Sequence, residues 1–476
     1  MELRDLKMPI KTIPYRHQEK AFKFVMNKFE NPRGAALLIE MGCGKSLISV
    51  AVSGTMSKES KIRKLLIVCP LSICGVWKEE FEKFADFDYK LVILKGNTAK
   101  KTELLQKMQG YSLQVAVVNY ESVWRIESQI KTWKPDMIIC DESHKIKSHN
   151  TVTSKSLHRL GEKASYRLIL TGTLITNKAI DVFSQYKFLE PQIFGKSFYT
   201  FRNRYFDMVG YGNHTPILKK SMEPELKEKI HSIAFRATKS ECLDLPETTD
   251  MVRYIELEPN AMNVYRHLVR DSFAELSRGE VTATNILTKI LRLSQLTGGF
   301  LGDDEGKKVH QISKAKLAAL EDILDEMTSS GKKLVVIARF IPEIEAITNL
   351  LSKKKLKFSV ITGNVKNRSE QIEQFQNDSD VLVFVGQVAT AGLGITLTAA
   401  STMVFYSMDY SMSNFEQTKA RIHRAGQQKN CTYIYLIAKG TVDEKVLITL
   451  QNKANLAKNL VDEYRRGLNP YEIGGI

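Results

Sequence analysis

The sequence predicts an α/β protein of two lobes, each a parallel β-sheet flanked by helices. Short apolar runs rich in Val, Ile and Leu alternate with longer amphipathic stretches, which is the pattern of buried strands and of the helices between them. This alternation occurs twice, and a polar segment over residues 187–314 separates the two occurrences. A length of 476 residues also suits two domains better than one.

The predicted strands fall into two groups. The first group covers residues 35–39, 65–69, 115–118, 137–140 and 168–170, and the second covers 334–337, 358–361, 381–385, 403–406 and 433–437. Strands that alternate with helices indicate right-handed βαβ units around a parallel sheet. We therefore expect a first lobe over residues 1–250 with a helical insertion at 187–240. We expect a second lobe over 251–476, with its core at 312–450 and a helical insertion at 255–310.

The composition excludes several classes of protein. No apolar run reaches the roughly 18 residues that a membrane span needs. The first 30 residues carry charges throughout and contain no apolar segment typical of a secretory signal. The six cysteines are scattered and include no Cys-x-x-Cys pair, which favours reduced structural thiols over a zinc site. We expect the chain to remain where it is made: the cytoplasm of a prokaryotic or virus-infected host cell, or the nucleus of a eukaryote.

The charge balance points towards a polyanion. Lys plus Arg number 69 against 53 Asp plus Glu, which gives a net charge of +16 and a pI near 9.3. A nucleic-acid partner is the usual physical reason for such an excess, and a generally basic soluble enzyme is the alternative. The lysine-rich run at residues 353–357 fits a nucleic-acid patch, but such runs are more often the solvated end of a helix.

A glycine turn follows the first predicted strand, in the sequence Gly42-Cys43-Gly44-Lys45-Ser46. The glycines allow backbone N–H groups to point inward, and the helix N-terminus behind them adds positive potential, so the turn suits a polyphosphate. Lys45 would reach the β- and γ-phosphates of ATP, and the Ser46 hydroxyl would bind Mg²⁺. An ordinary turn remains an alternative, because Ile39 occupies the place of the first glycine of the full motif.

Two adjacent carboxylates, Asp141 and Glu142, follow the apolar run at 137–140. Open α/β sheets bind their ligands at the carboxyl ends of the strands. There Asp141 would hold Mg²⁺, and Glu142 would orient and deprotonate the attacking water. An isolated acidic pair often only caps the following helix. Together with the lysine turn upstream, however, this pair predicts a nucleoside-triphosphate hydrolase.

In their order along the chain, these motifs resemble those of the Swi/Snf-type superfamily-two helicase-like ATPases. The resemblance implies two RecA-like lobes of the P-loop NTPase class that act as a DNA translocase using ATP and Mg²⁺. Further motifs match nearly the whole chain: 14–18 resembles the adenine-reading segment, 65–77 motif Ia, 118–121 motif Ib, 170–173 with Asn177 motif III, 334–340 motif IV, 389–400 motif V and 417–427 motif VI.

The resemblance also implies roles for individual residues. Gln18 would contact the adenine, and Gly394 would belong to the nucleotide site. Motifs Ia and Ib would touch the DNA backbone. Coupling between the nucleotide and DNA would involve His144, Thr171, Gly172, Thr173 and Gln417. Arg421 and Arg424 would lie against the γ-phosphate, whereas arginines spaced this way are otherwise usually solvated helix charges.

Two departures from the common family pattern favour one branch. Motif V has Gly392 alone before Leu393, with Thr396 at the usual Asn position, and motif II reads Asp-Glu-Ser-His. Both features are similar to the annealing-helicase and fork-remodelling branch. We expect a monomer that tracks duplex or branched DNA without sequence preference, in replication, repair or recombination. Strand separation, an RNA or RNA-polymerase target, and a non-catalytic ATP-operated clamp remain alternatives.

Overall fold

A computed structural model describes residues 7–108, 110–175, 178–209, 215–242, 245–277, 283–302, 309–365, 367–388 and 395–457. The chain divides into two units, residues 1–244 with 453–476, and residues 245–452. Strand Thr248–Ile255 therefore lies wholly in the second unit, whereas the division expected from the sequence, after residue 250, falls three residues into it. Among the described residues, no helix is both long and apolar enough to cross a membrane.

The first unit is built on a seven-stranded parallel sheet in the order β3-β4-β2-β5-β6-β1-β9. Its sheet strands are β1 (Gly34–Ile39), β2 (Lys64–Cys69), β3 (Lys90–Ile93), β4 (Gln114–Asn119), β5 (Met137–Asp141), β6 (Tyr166–Leu170) and β9 (Ala234–Ala237). Its helices are α1 (Arg16–Glu30), α2 (Lys45–Lys58), α3 (Cys74–Phe84), α4 (Thr98–Gln106), α5 (Tyr120–Val123), α6 (Glu127–Trp133), α7 (Val152–Gly161), α8 (Val182–Leu189), α9 (Pro191–Phe194), α10 (Phe198–Tyr205), α11 (Glu223–His231) and α12 (Lys239–Cys242).

Both faces of the first sheet are covered, as the continuous apolar strands predict. Every residue of β1 is buried. Ala36 and Leu38 belong to the hydrophobic cluster on one face, whereas Leu37 and Ile39 belong to the cluster on the other. Burial on both faces explains why these strands read as unbroken apolar runs rather than as an alternation of polar and apolar residues.

The second unit is built on a six-stranded parallel sheet in the order β10-β17-β16-β13-β15-β14. Its sheet strands are β10 (Thr248–Ile255), β13 (Leu334–Ala338), β14 (Lys357–Ile361), β15 (Val381–Gln387), β16 (Thr402–Phe405) and β17 (Cys431–Ala438). Its helices are α13 (Pro259–Ser277), α14 (Ala283–Thr297), α15 (Ala315–Ser329), α16 (Ile341–Lys353), α17 (Arg368–Asn377), α18 (Met412–Lys419) and α19 (Val442–Ala457), the last of which begins in this unit. Two parallel-sheet α/β lobes confirm the predicted fold class.

The polar segment between the two groups of strands is helical, but it also contains strands that the sequence analysis does not predict. In the first unit, β7 (Phe206–Val209) and β8 (Thr215–Leu218) form an antiparallel pair within the expected helical insertion, and β9 returns to the main sheet. In the second unit, β11 (Phe300–Gly302) pairs with β12 (Val309–Gln311), and β11 contacts α14.

The lysine run at residues 353–357 begins at the last residue of α16 and continues past it, where the interpretation as the end of a helix places it. Lys354 Nζ lies 2.7 Å from Asp325 and 2.9 Å from Glu321, and Lys357 Nζ lies 2.7 Å from Asp380. These exposed ion pairs surround the C-terminal end of α16. Two of the run's lysines therefore face protein carboxylates rather than forming an open basic patch.

Candidate nucleotide-binding site

The predicted phosphate loop lies between β1 and α2, at the carboxyl edge of the first sheet. Gly42 and Gly44 have φ values of 85° and 84°, in the left-handed region that glycine adopts without steric cost. Gly44 is the residue that precedes α2, so the free N–H groups of that helix begin at the loop. Lys45, the first residue of α2, donates from Nζ to the carbonyl oxygen of Ile39 at 2.8 Å. The loop thus has the geometry of a phosphate cradle.

Gln18 packs directly against this loop. A side chain at position 44 would place its Cβ 2.1 Å from Gln18 Nε2, so the Gln18 amide would have to move, and the positive φ of Gly44 also disfavours other residues. Gln18 is buried, and its Oε1 accepts a hydrogen bond from the Tyr15 N–H at 2.9 Å. His17 Nε2 lies 2.8 Å from the carbonyl oxygen of Cys43. The structure thus brings the predicted adenine-reading segment to the phosphate loop.

Asp141 and Glu142 lie at the end of β5, separated from β1 only by β6. Asp141 is buried, and burial together with the nearby Glu142 charge raises its pKa to about 7, while Lys45 acts to lower it. Two hydrogen bonds fix the carboxylate: Trp77 Nε1 donates to Oδ2 at 3.1 Å, and the Glu142 N–H donates to Oδ1 at 2.9 Å. A bound cation would offset the cost of ionising these two neighbouring carboxyl groups.

Glu142 occupies a backbone conformation that side-chain-bearing residues rarely adopt, with φ of 52°. Such a conformation costs on the order of 1 kcal/mol or more and persists where the surrounding structure imposes it, often at functional sites. Its Oε2 lies 3.3 Å from His144 Nδ1, which brings the predicted coupling histidine against the predicted base. The strained turn thus lies between the two predicted catalytic carboxylates and the predicted coupling histidine.

The predicted coupling segment 171–173 follows β6, between the strands that carry the loop and the carboxylates. Thr171 is buried and its N–H donates to the carbonyl oxygen of Leu37 at 3.1 Å, while its Oγ1 accepts from the Thr173 N–H at 3.0 Å. The Cα of Gly172 faces the start of the phosphate loop: a Cβ there would lie 3.5 Å from the carbonyl oxygen of Ile39. Asn177 lies outside the described residues.

A buried glutamine that the sequence analysis misses joins the carboxylate turn to this segment. Gln185 of α8 accepts from Ser143 Oγ at 2.7 Å and donates from Nε2 to the carbonyl oxygens of Leu174 and Asp181, at 2.9 and 3.0 Å. Gln185 has no exposed surface. The one available signal is a glutamine among the apolar residues of an amphipathic helix, and that signal does not identify its partners.

Replacing Gln185 by leucine should lower the free energy of unfolding of the first unit by about 1–3 kcal/mol for each buried group left without its partner. All three tryptophans of the chain, Trp77, Trp124 and Trp133, belong to this unit, so their fluorescence during urea unfolding reports on it. Gln192→Leu, on the exposed surface of α9, is the matched control and should change stability by less than about 0.5 kcal/mol. Equal effects of the two substitutions would contradict the prediction.

The second unit carries the predicted arginines after α18. Arg421 is buried, and its carbonyl oxygen accepts from the Leu397 N–H at 2.9 Å. Arg424 Nη1 donates to the carbonyl oxygen of Ile395 at 3.3 Å, so motif VI contacts the described end of motif V. Gln417 is buried, with Nε2 3.3 Å from Ser413 Oγ. Gly394 and the rest of 389–394 lie outside the described residues.

The glutamine that closes motif VI has a structural role. Gln427 Nε2 donates to the carbonyl oxygens of Thr398, Ala400 and Ile422, at 3.3, 2.8 and 3.0 Å. Its Oε1 accepts from the backbone N–H groups of residues 428 and 429. The last glutamine of motif VI therefore stabilises the turn that the motif itself forms.

A glycine loop between a buried strand and a helix, beside two carboxylates on a nearby strand, defines the class of P-loop nucleotide-binding proteins. The sequence profile of the SNF2-related domain matches residues 17–298, and that of the helicase conserved C-terminal domain matches residues 315–426. The first match alone covers more than half of the chain. The chain therefore belongs to the SNF2-related family, which confirms the resemblance to Swi/Snf-type ATPases.

Individual relatives are similar over nearly the whole chain. An ATP-dependent helicase of Mycoplasma genitalium, MG018, is 26% identical over 94% of this chain and 42% of its own length. The RAD54-like DNA repair and recombination protein of Drosophila persimilis is 26% identical over 94% of this chain and 63% of its own. This chain thus spans about half the length of such relatives. The Sulfolobus solfataricus SWI2/SNF2 ATPase core in complex with dsDNA has 27% identity and a TM-score of 0.48, and the match covers 99% of this chain and 98% of that one.

Proposed function

We propose that this chain is an ATP-hydrolysing motor that moves along duplex DNA and remodels DNA structures or protein–DNA complexes, in replication, repair or recombination. One observation carries the proposal: a single edge of the first sheet holds the phosphate loop with its two carboxylates and, farther along, a cavity lined by lysines. The names of the matched relatives, a helicase and a DNA repair and recombination protein, agree with it. The sequence departures favour the fork-remodelling branch.

The nucleotide chemistry follows from the residues around the loop. Lys45 and the loop amides would bind the phosphates of ATP, and Ser46 with Asp141 would hold Mg²⁺, which when bound neutralises charge on the phosphates. The described residues include no group of three or more metal-ligating side chains, so phosphate oxygens and water would complete the coordination, as is usual for Mg²⁺. Glu142 would accept the proton of the attacking water, and His144 would hold Glu142 in place.

The second unit would complete the chemistry with its arginines. We propose, as the family resemblance implies, that Arg421 and Arg424 place positive charge on the γ-phosphate, where negative charge develops during phosphoryl transfer. Steady-state ATPase measurements on Arg424→Ala test this role. A turnover equal to that of the parent protein would remove Arg424 from it.

The lysine-lined cavity supports DNA binding by the first unit. It has a volume of about 480 Å³ and lies where β2, β3 and β4 end, and its lining includes Leu71, Lys95, Lys101, Asn119 and Ser122. Lys101 Nζ donates to Ser122 Oγ at 2.8 Å. Burial lowers the pKa of Lys101, and the nearby Arg125 lowers it further, so a phosphate would stabilise its charged form. Lysine, amide and hydroxyl groups bind the DNA backbone without reading base sequence.

DNA binding should fall steeply with salt, because the motor would hold phosphates and the chain carries a net charge of +16. Between 50 and 200 mM salt, we expect the affinity for duplex DNA to fall by about a thousandfold, with little dependence on base sequence. The double substitution K95Q/K101Q should reduce the slope of log affinity against log salt by about two. Fluorescence anisotropy across a salt series measures both quantities.

The matched control is K354Q/K357Q, which removes the same charge from lysines already paired with carboxylates. This control should leave the slope nearly unchanged. A flat salt response of the parent protein would indicate that the basic excess is only solvated surface. Equal slopes for the two double variants would remove the cavity from the DNA site.

The activator of ATP hydrolysis distinguishes the proposal from its alternatives. We expect duplex DNA to stimulate turnover more than single strands or RNA do. Preference for RNA would favour an RNA-directed remodeller, and nucleotide binding without turnover would favour a non-catalytic clamp. Unwinding of a forked duplex would favour a strand-separating helicase. We also infer that the protein acts as a monomer in the compartment that holds its DNA, and sedimentation of the DNA complex tests the stoichiometry.

A further inference from the structure

A buried arginine at the edge of the first sheet contacts the point where β1 becomes the phosphate loop. Arg236 lies in β9, the edge strand that pairs with β1, and only 5% of its surface is exposed. Its Nη1 donates to the carbonyl oxygen of Leu38 at 2.9 Å, and its Nη2 lies 3.1 Å from Glu40 Oε1. A charge buried this deeply needs such partners, since removing it from water is costly.

Glu40 is the first residue after β1, and both of its carboxylate oxygens are used. Oε1 faces Arg236, and Oε2 accepts from the Lys239 N–H at 3.0 Å. The Glu40 N–H in turn donates to the carbonyl oxygen of Ala237 at 3.0 Å. Between Leu38 and Glu40 lies Ile39, whose carbonyl oxygen accepts from Lys45 Nζ. The segment 236–239 thus holds Leu38 and Glu40, the two neighbours of the residue that Lys45 contacts.

A residue just after this segment contacts the loop a second time. Cys242, at the end of α12, packs against the hydrophobic cluster that contains the buried Cys43 of the loop. Contacts at Glu40 and Cys43 lie on either side of Met41 and Gly42. Residues 236–242 therefore contact the loop at Glu40 and at Cys43.

We propose that Arg236 is a positioning residue for nucleotide binding: through Glu40 it fixes the entrance of the phosphate loop, so that the loop amides and Lys45 are prearranged for a polyphosphate. This inference rests on the proposed ATP-binding function. Because the loop would hold the phosphates equally well before and during hydrolysis, its displacement weakens ground-state and transition-state binding alike. Such a loss raises KM and leaves kcat nearly unchanged.

Arg236→Lys keeps the charge but cannot reach two partners in the fixed geometry of a guanidinium, and Glu40→Gln keeps the shape but removes the charge. We expect either variant to raise the KM for ATP and the Kd of a fluorescent ATP analogue by about 10–100-fold, the range typical of residues that orient a binding group. The kcat should stay within about threefold. The double variant should lose little more than either single one, because the two residues act as a pair.

Arg167→Lys provides a matched control. Arg167 of β6 is also largely buried, donates to a carbonyl oxygen (Gly161, 3.1 Å) and faces a carboxylate (Glu190, 3.7 Å), but it pairs with the start of β1 rather than its end. If the substitutions act only by lowering stability, both arginine variants should show a smaller active fraction, and therefore a lower kcat, with an unchanged KM. If folded Arg236→Lys and Glu40→Gln bind the nucleotide with unchanged affinity, the role of Arg236 is overturned and the proposed ATP-binding function is not affected. If the parent protein itself fails to bind the analogue, the proposed function fails, and this inference fails with it.

Discussion

Replacing Lys45 by alanine should lower kcat/KM for ATP by about a thousandfold or more while the protein stays folded. Lys45 would supply positive charge to the β- and γ-phosphates, and loss of one such preorganised group removes stabilisation that water does not replace. The effect on folding should be small, because Lys45 is only half-buried and its ammonium contacts one backbone carbonyl, that of Ile39. Steady-state ATPase and binding of a fluorescent ATP analogue measure the loss.

Lys58→Ala is the control for this substitution. Lys58 ends the same helix, α2, and is exposed, so its removal changes the net charge equally without touching the loop. We expect the control to retain the parental rate and both variants to unfold at similar urea concentrations. Substantial hydrolysis by a folded Lys45→Ala variant would show that the glycine turn is not the phosphate site.

Glu142→Gln should separate nucleotide binding from hydrolysis. The amide keeps the shape of the side chain but cannot accept a proton from water, so turnover should fall by about 10²–10⁴-fold while ATP still binds. The left-handed backbone at position 142 is as available to glutamine as to glutamate, and the turn should therefore persist. Single-turnover hydrolysis beside equilibrium binding distinguishes the two steps.

Glu162→Gln provides the comparison, since Glu162 is an exposed carboxylate of the same unit that follows α7 and precedes β6, away from the loop edge. Its substitution should leave both binding and turnover at the parental level. If Glu142→Gln hydrolyses ATP as fast as the parent protein, Glu142 is not the general base. Loss of binding together with turnover would instead assign Glu142 to the architecture of the site.

The sequence predicts the central strands well and the peripheral strands poorly, for one physical reason. Strands β1, β2, β4, β5 and β6 are buried on both faces, so their residues form apolar runs that neighbouring positions alone reveal. The edge strands β3 and β10 lack that signal, although the edge strand β14 is predicted from its apolar run at 358–361. β10 is almost entirely exposed, and β3 has no fully buried residue. Such strands form because they hydrogen-bond to a neighbouring strand of the sheet. That neighbour is distant in sequence, so a short stretch of sequence does not identify it.

The candidate site divides in the same way. The glycine turn, the lysine that follows it and the carboxylates after a buried strand are local features, because turn chemistry and strand ends are determined by adjacent residues. The supports of these groups are not local. Trp77 reaches Asp141 across 64 positions and Gln185 reaches Ser143 across 42. The residues around Trp77 and Gln185 in the sequence form no pattern that identifies these partners.

The sequence by itself determined the order of the motifs, the alternation of strands and helices, and the residues proposed to bind phosphate, since each depends on neighbours within about a dozen positions. Tertiary structure alone decided which motifs lie together. The parallel order β5-β6-β1 brings Asp141, Thr171 and the loop to one edge. It also places Arg236 against Glu40, 196 positions away. Buried polar groups must find partners wherever the folded chain supplies them, and that requirement acts in space rather than along the sequence.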